Sequence, residues 1–208
     1  MENNYIITLP YPKIPNELLL PSEEILALPE VVFKNRVGFR TDAGKKTVFW
    51  RRVNPELKEW LKNNIDYPFS AYYHVHTDLL KSHTDFRRTA INYFVDLGGD
   101  DVYTEYYSRE LFETDEKVKN LANLRQSVGM ETTVKEENRY EQIRVLYREK
   151  IPLHTWKQYD TTIPHGTNSD SGHLDRPRIF VSVVPNSELP IPPNPIIAEN
   201  VLEWRDTW

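Results

Sequence analysis

Between Ser70 and Val184 the chain is a succession of short runs in which apolar and polar residues alternate, broken by Gly, Pro, Asn and Asp. Alternation with period two belongs to strands that bury one face. Turn residues at such short intervals leave little room for long helices there. AYYHVHTD reads as a strand, a break falls near Leu79–Lys81, and a second strand starts at His83 and continues through TAINYFVDL. Gly98-Gly99-Asp100-Asp101 then turns the chain and VYTEYY returns, which is the pattern of a β-hairpin. YEQIRVLY alternates Ile143, Val145 and Tyr147 with polar neighbours. PLHTWKQYDTTIPHG and RPRIFVSVV add two more strands.

The two ends are patterned differently. Pro10, Pro12, Pro15, Pro21 and Pro29 forbid a long helix over residues 1–30 and predict an extended strap with one short helix after Pro21, capped by Ser22. VVFKNRVGFRTDAGKKTVFWRRV reads as strand, turn and strand around Asp42-Ala43-Gly44. NPELKEWLKNN is the clearest helix, with Asn54 as cap, Pro55 at the first helical position and Leu57, Trp60 and Leu61 on one face for the core. Residues 108–139 are highly charged with weak periodicity and read as an insertion near the site. The tail 185–208 is too rich in proline for a central strand and reads as a strap anchored by Ile196, Ile197, Leu202 and Trp204. At 208 residues one domain is expected: an N-terminal strap, hairpin and helix (1–69), a core (70–184) and the strap. Short antiparallel strands behind one or two N-terminal helices predict a mainly β fold, a double-stranded β-helix or jelly roll.

Composition closes off several chemistries. The chain has no Cys, which removes disulfides, thiolate zinc sites, iron–sulfur clusters and cysteine nucleophiles. Any metal must then be held by His, Asp or Glu. A net charge of −5 argues against a binder of nucleic-acid backbone. MENNYIITLPYP has no basic region or long apolar run, so no signal peptide is read there, and no stretch reaches the length of a membrane span. A cytoplasmic protein is expected.

His83-Thr84-Asp85 sets two metal-ligating side chains on one face of a strand. A distant histidine would complete the two-His, one-carboxylate face that leaves positions open on iron(II), and His165, after Ile163-Pro164 and before Gly166, is in place to be that residue. His76-Thr77-Asp78 is a second His-X-Asp, and His74 shares its face. The later copy is preferred because it leads into Arg88, Ala90 and Asn92 on a long strand, and half-buried strand histidines account for His74 and His76. His154 and His173 read as loop residues. Arg178, opening the alternating run Ile179-Phe180-Val181-Ser182, presents a planar fork suited to a carboxylate. Taken alone it would read as a surface ion pair, and Arg176 is a near neighbour able to take its role.

HTDFRRTAINYF, then TEYY, then DTTIPHGTNSDSGHLDRPRIFVSV, in that order over about residues 70–184, resembles the 2-oxoglutarate/iron(II)-dependent oxygenase superfamily. The resemblance implies that His83, Asp85 and His165 ligate Fe(II). It implies that Arg178, with Ser182, binds the C5 carboxylate of 2-oxoglutarate; Asn92 and Tyr73, on strands beside the metal, are candidates for further contacts to that co-substrate, with ordinary strand packing as the alternative. It also implies oxidative decarboxylation of 2-oxoglutarate to succinate, with molecular oxygen as partner and oxidation of a substrate; the acidic charge balance tilts that substrate towards a peptide or small molecule over nucleic acid. A homodimer is compatible with this. Two other readings stay open: a cupin-like metalloenzyme using His74, His76 and His83 without 2-oxoglutarate, and a jelly roll that binds a ligand without catalysis.

Overall fold

The computed structural model describes residues 5–32, 46–80, 89–107 and 145–185. In chain order these form β1 (Ile6–Thr8), a short 3-10 helix (Asn16–Leu18), α1 (Ser22–Ala27), β2 (Val48–Arg52), α2 (Pro55–Asn64), β3 (Phe69–His76), β4 (Thr89–Asp96), β5 (Val102–Tyr107), β6 (Val145–Glu149), β7 (Trp156–Asp160), β8 (His165–Ser169) and β9 (Arg178–Pro185). The strands build two antiparallel sheets, a large one in the order β1-β7-β4-β9-β3-β2 and a small one in the order β6-β5-β8. The chain is therefore mainly β with few helices. No helix among the described residues is long and apolar enough to cross a membrane.

The helix α2 forms as its sequence dictates. Asn54 is extended and its Oδ1 accepts the Leu57 N–H at 3.1 Å, while Pro55 supplies a first helical residue with no orphan donor. Leu57 and Leu61, one turn apart, are fully buried against the large sheet, with Trp60 half-buried beside them. At α1 the expectation is corrected by one residue. Ser22 is the first helical residue and Pro21 occupies the cap position, with no side-chain bond.

Two other expectations change. β4 and β5 are not a hairpin. Both edges of β4 are taken, by β7 and β9, so after the Gly98-Gly99 turn the chain crosses to the small sheet, where β5 lies between β6 and β8. The stretch read as two strands near the C-terminal end of the core is three, because residues 161–164 turn the chain out of the large sheet before β8. The turn at Asp42-Ala43-Gly44, the insertion 108–139 and the strap beyond Pro185 lie outside the described residues.

Register assigns each side chain of the large sheet to a face, because adjacent residues point oppositely. Tyr73, Val75, Ile91, Tyr93, Trp156, Ile179, Val181 and Val183 face the helices and pack with Ile14, Ile25, Leu57 and Leu61. Ala90, Phe94, Tyr159 and Phe180 face the small sheet, meeting Tyr106 of β5. Tyr5 closes that second cluster, its ring stacked on Tyr106 at 5.0 Å.

Candidate functional site

Arg178 opens β9 on the face between the sheets, opposite His76 on β3. It is 2% exposed. Its Nη2 donates to Thr104 Oγ1 at 3.0 Å and its Nη1 to Thr167 Oγ1 at 3.3 Å, so β5 and β8 of the small sheet hold a fork that the large sheet supplies. A longer contact joins Nη1 to the Tyr103 carbonyl at 3.5 Å. The guanidinium lies over the Phe94 ring, 4.9 Å from its centre. Its Nε has no hydrogen-bond partner, and no carboxylate pairs with it among the described residues. Burial pushes its pKa down, to about 10, which leaves it charged at neutral pH. Burial pushes the neighbouring Tyr159 phenol up, so that group stays protonated. A charge buried without a counter-charge costs several kcal/mol. Hydroxyls and a ring face offset only part of this.

Arg176 is a different kind of arginine. Its Nε donates to both carboxylate oxygens of Asp96, at 2.9 and 3.0 Å, and the side chain is half exposed. It already has its anion, whereas Arg178 has none among the described residues.

His165 is the first residue of β8, opposite Tyr106, with the two rings tilted at 5.7 Å. It lies two residues from Thr167 and so shares a strand face with the hydroxyl that holds Arg178. Its Nδ1 lies 2.9 Å from the Ile163 carbonyl. A proton on Nδ1 satisfies that carbonyl and puts the ring lone pair on Nε2, the tautomer a metal ligand needs. Thr167 N donates to the carbonyl of Leu80 at 2.8 Å, so the described chain arrives beside β8 just before His83 and Asp85. Those two residues lie outside the described residues. Among the described residues no three His, Asp or Glu side chains are gathered as a metal-binding group.

Asn92 and Ser182 are partners in the β4–β9 register, share the inter-sheet face with Arg178 and are buried. Asn92 Oδ1 and Ser182 Oγ have no hydrogen-bond partner among the described residues. Four residues of strand, about 13 Å, separate the Cα atoms of Ser182 and Arg178, with the Phe94–Phe180 ring pair, 5.1 Å apart, in between. Tyr73 is placed away from this face. It faces the helices, fully buried, and its hydroxyl accepts the Leu20 N–H at 3.4 Å. Its neighbours His74 and His76 take the inter-sheet face instead: Nε2 of one lies 3.3 Å from Nε2 of the other, and His74 stacks on Trp50 at 3.8 Å. His154 sits in a turn at φ 56°, and His173 is exposed.

Sequence reasoning missed Thr104, Thr167 and Tyr159. The alternation in VYTEYY does place Thr104 with Tyr106 on one face, but which strand lies across from it is a tertiary fact. No protein-family model matches the chain, and no curated protein sequence matches it.

Proposed function

We propose that this chain is a 2-oxoglutarate- and iron(II)-dependent oxygenase of the double-stranded β-helix fold. The observation that carries the reading is Arg178, a buried cation whose described partners are two threonine hydroxyls, a carbonyl and a ring face. Such a site is complete only when an anion enters it. A five-carbon diacid supplies one, a carboxylate that takes the guanidinium fork bidentately. Thr104 and Thr167 hold the fork from the opposite sheet, the protonated Tyr159 phenol is a donor beside it, and Phe94 and Phe180 keep water from its floor. From β4 to β9 the chain crosses between the sheets at every step except β5 to β6, with β4, β7 and β9 in one sheet and β5, β6 and β8 in the other, which supports the jelly roll.

The residues fit iron(II). With its Nδ1 proton on the Ile163 carbonyl, His165 would present Nε2 to the metal. His83 is three residues beyond Leu80, a span of about 11 Å at most, and Leu80 is bonded to Thr167 on the same strand as His165. His83, Asp85 and His165 would be the ligands. Iron(II), when bound, supplies oxygen activation and the oxidative decarboxylation of 2-oxoglutarate to succinate that is coupled to oxidation of the substrate. A second reading rests on the 3.3 Å His74–His76 pair, which with His83 could form a metal centre that uses no 2-oxoglutarate. It is the weaker reading because a dication there would sit beside Arg178, the strand partner of His76, which has no anion among the described residues. Anaerobic calorimetry with iron(II) and 2-oxoglutarate, followed by a succinate assay, decides between them. Tight 2-oxoglutarate binding and iron-dependent succinate formation are expected. Metal binding without affinity for 2-oxoglutarate would favour the second reading.

A further inference from the structure

Arg178 needs a fixed position as well as an empty one, and the turn after β4 bears on that position. Gly98 has φ +86°. Its N–H donates to Asp96 Oδ1 at 2.9 Å, and its carbonyl accepts both the Asp175 and Arg176 N–H groups, at 2.8 and 3.1 Å. Asp96 in turn grips the Arg176 side chain. One turn therefore ties down the two residues from which the chain enters β9. It also approaches β9 itself: a Cβ at position 98 would lie 3.1 Å from the Cβ of Arg178, 3.1 Å from the Arg176 carbonyl and 3.0 Å from Leu174 Cδ2. Carbon atoms in good contact lie about 3.5–4.0 Å apart, so a side chain there forces the turn and its neighbours, the Cβ of Arg178 among them, to give way by a few tenths of an ångström.

We infer that Gly98 is a positioning residue for Arg178, and that its missing side chain sets where the guanidinium stands and so which length of diacid the pocket accepts. The inference rests on Arg178 being the carboxylate-binding residue of the proposed oxygenase. The molecule contains its own control. Gly172 lies in the loop before β9, also at positive φ, +76°, and a Cβ there would meet nothing within 4 Å. Gly98→Ala and Gly172→Ala share the cost of an alanine in left-handed backbone. Only the first pushes on Arg178.

The experiment measures binding of 2-oxoglutarate and of oxaloacetate, one carbon shorter, to both variants and the parent protein, and records the Arg178 Nε–H resonance without ligand. Gly98→Ala should weaken 2-oxoglutarate binding about tenfold or more, which corresponds to about 1.4 kcal/mol. It should also change the ratio of the two affinities and move the Arg178 resonance. Gly172→Ala should leave all three as in the parent. Equal effects in the two variants would overturn the inference, as would an unchanged resonance in Gly98→Ala. Should the parent bind neither diacid, the oxygenase reading fails, while the resonance comparison still decides whether Gly98 positions Arg178.

Discussion

The two faces of the large sheet are built on opposite terms. On the helix side Val181, Val183, Ile91 and Trp156 pack against Leu57 and Leu61, and the polar atoms among them are neutral, such as the Tyr67 and Tyr93 phenols and Trp156 Nε1, which donates to the Pro12 carbonyl at 2.9 Å. On the side facing the small sheet the same strands carry Arg178, Asn92 and Ser182, each buried with an atom that has no hydrogen-bond partner among the described residues. The first face stabilises the fold through apolar area removed from water. The second carries a buried charge and buried polar groups, which lower stability where they have no partner. Burial alone does not separate them; a buried charge with no counter-charge among the described residues does.

The sharpest way to break this comparison is at the metal ligands. His165→Ala should abolish iron-dependent formation of succinate while circular dichroism stays that of the parent, because His165 stands at a strand start and carries little core packing. Asp85→Ala should lose iron(II) binding and Asp78→Ala should keep it. Loss in Asp78→Ala instead would move the centre to the earlier His-X-Asp.

Next comes the arginine. Arg178→Ala should weaken 2-oxoglutarate binding by roughly 30-fold or more, from the ~2–5 kcal/mol typical of removing one partner of a buried charge pair. Arg178→Lys should recover part of this, lacking the planar fork. Arg176→Ala, which breaks a half-exposed ion pair of about 0–1 kcal/mol, should change little. Arg178→Met adds a readout that a structural arginine would fail. With no ligand, the thermal midpoint should hold or rise, since an unpaired buried charge is gone. A clear fall would return Arg178 to the list of stabilising residues.

On the other face the signs reverse. Leu57→Ala removes a fully buried side chain and should cost about 2–5 kcal/mol in denaturant unfolding, with 2-oxoglutarate affinity unchanged. Coupled losses of stability and affinity would mean that the faces are not independent.

The smallest effect is expected at Tyr73. Tyr73→Phe deletes one long hydrogen bond to Leu20 N and should cost about 0.5–1.5 kcal/mol or less. Affinity for 2-oxoglutarate should stay at the parent value. A tenfold loss of affinity would bring Tyr73 back to the site.

Local chemistry alone determined a good part of this protein. Asn54-Pro55 ahead of Leu57 and Leu61 specifies α2 without help from the rest of the chain, because cap, first turn and apolar spacing all lie within eight residues. The alternation in TAINYFVD and RIFVSVV specifies strands for the same reason. It also groups Arg178 with Phe180 and Ser182, and His74 with His76, on common faces. Which face looks inward is another matter. Tyr73 and His74 are neighbours, and only the pairing of β3 with β9, with Tyr73 opposite Val181 and His74 opposite Phe180, sends one to the helices and the other between the sheets. Gly98-Gly99 is a turn in either a hairpin or a crossover, and the occupied edges of β4 decide for the crossover. Likewise, nothing near Arg176 or Arg178 in sequence says which has an anion. Asp96 lies eighty residues from the first, and Thr104 and Thr167 reach the second from the other sheet. Contacts between distant segments depend on how the sheets stack, and stacking is settled by the whole core at once.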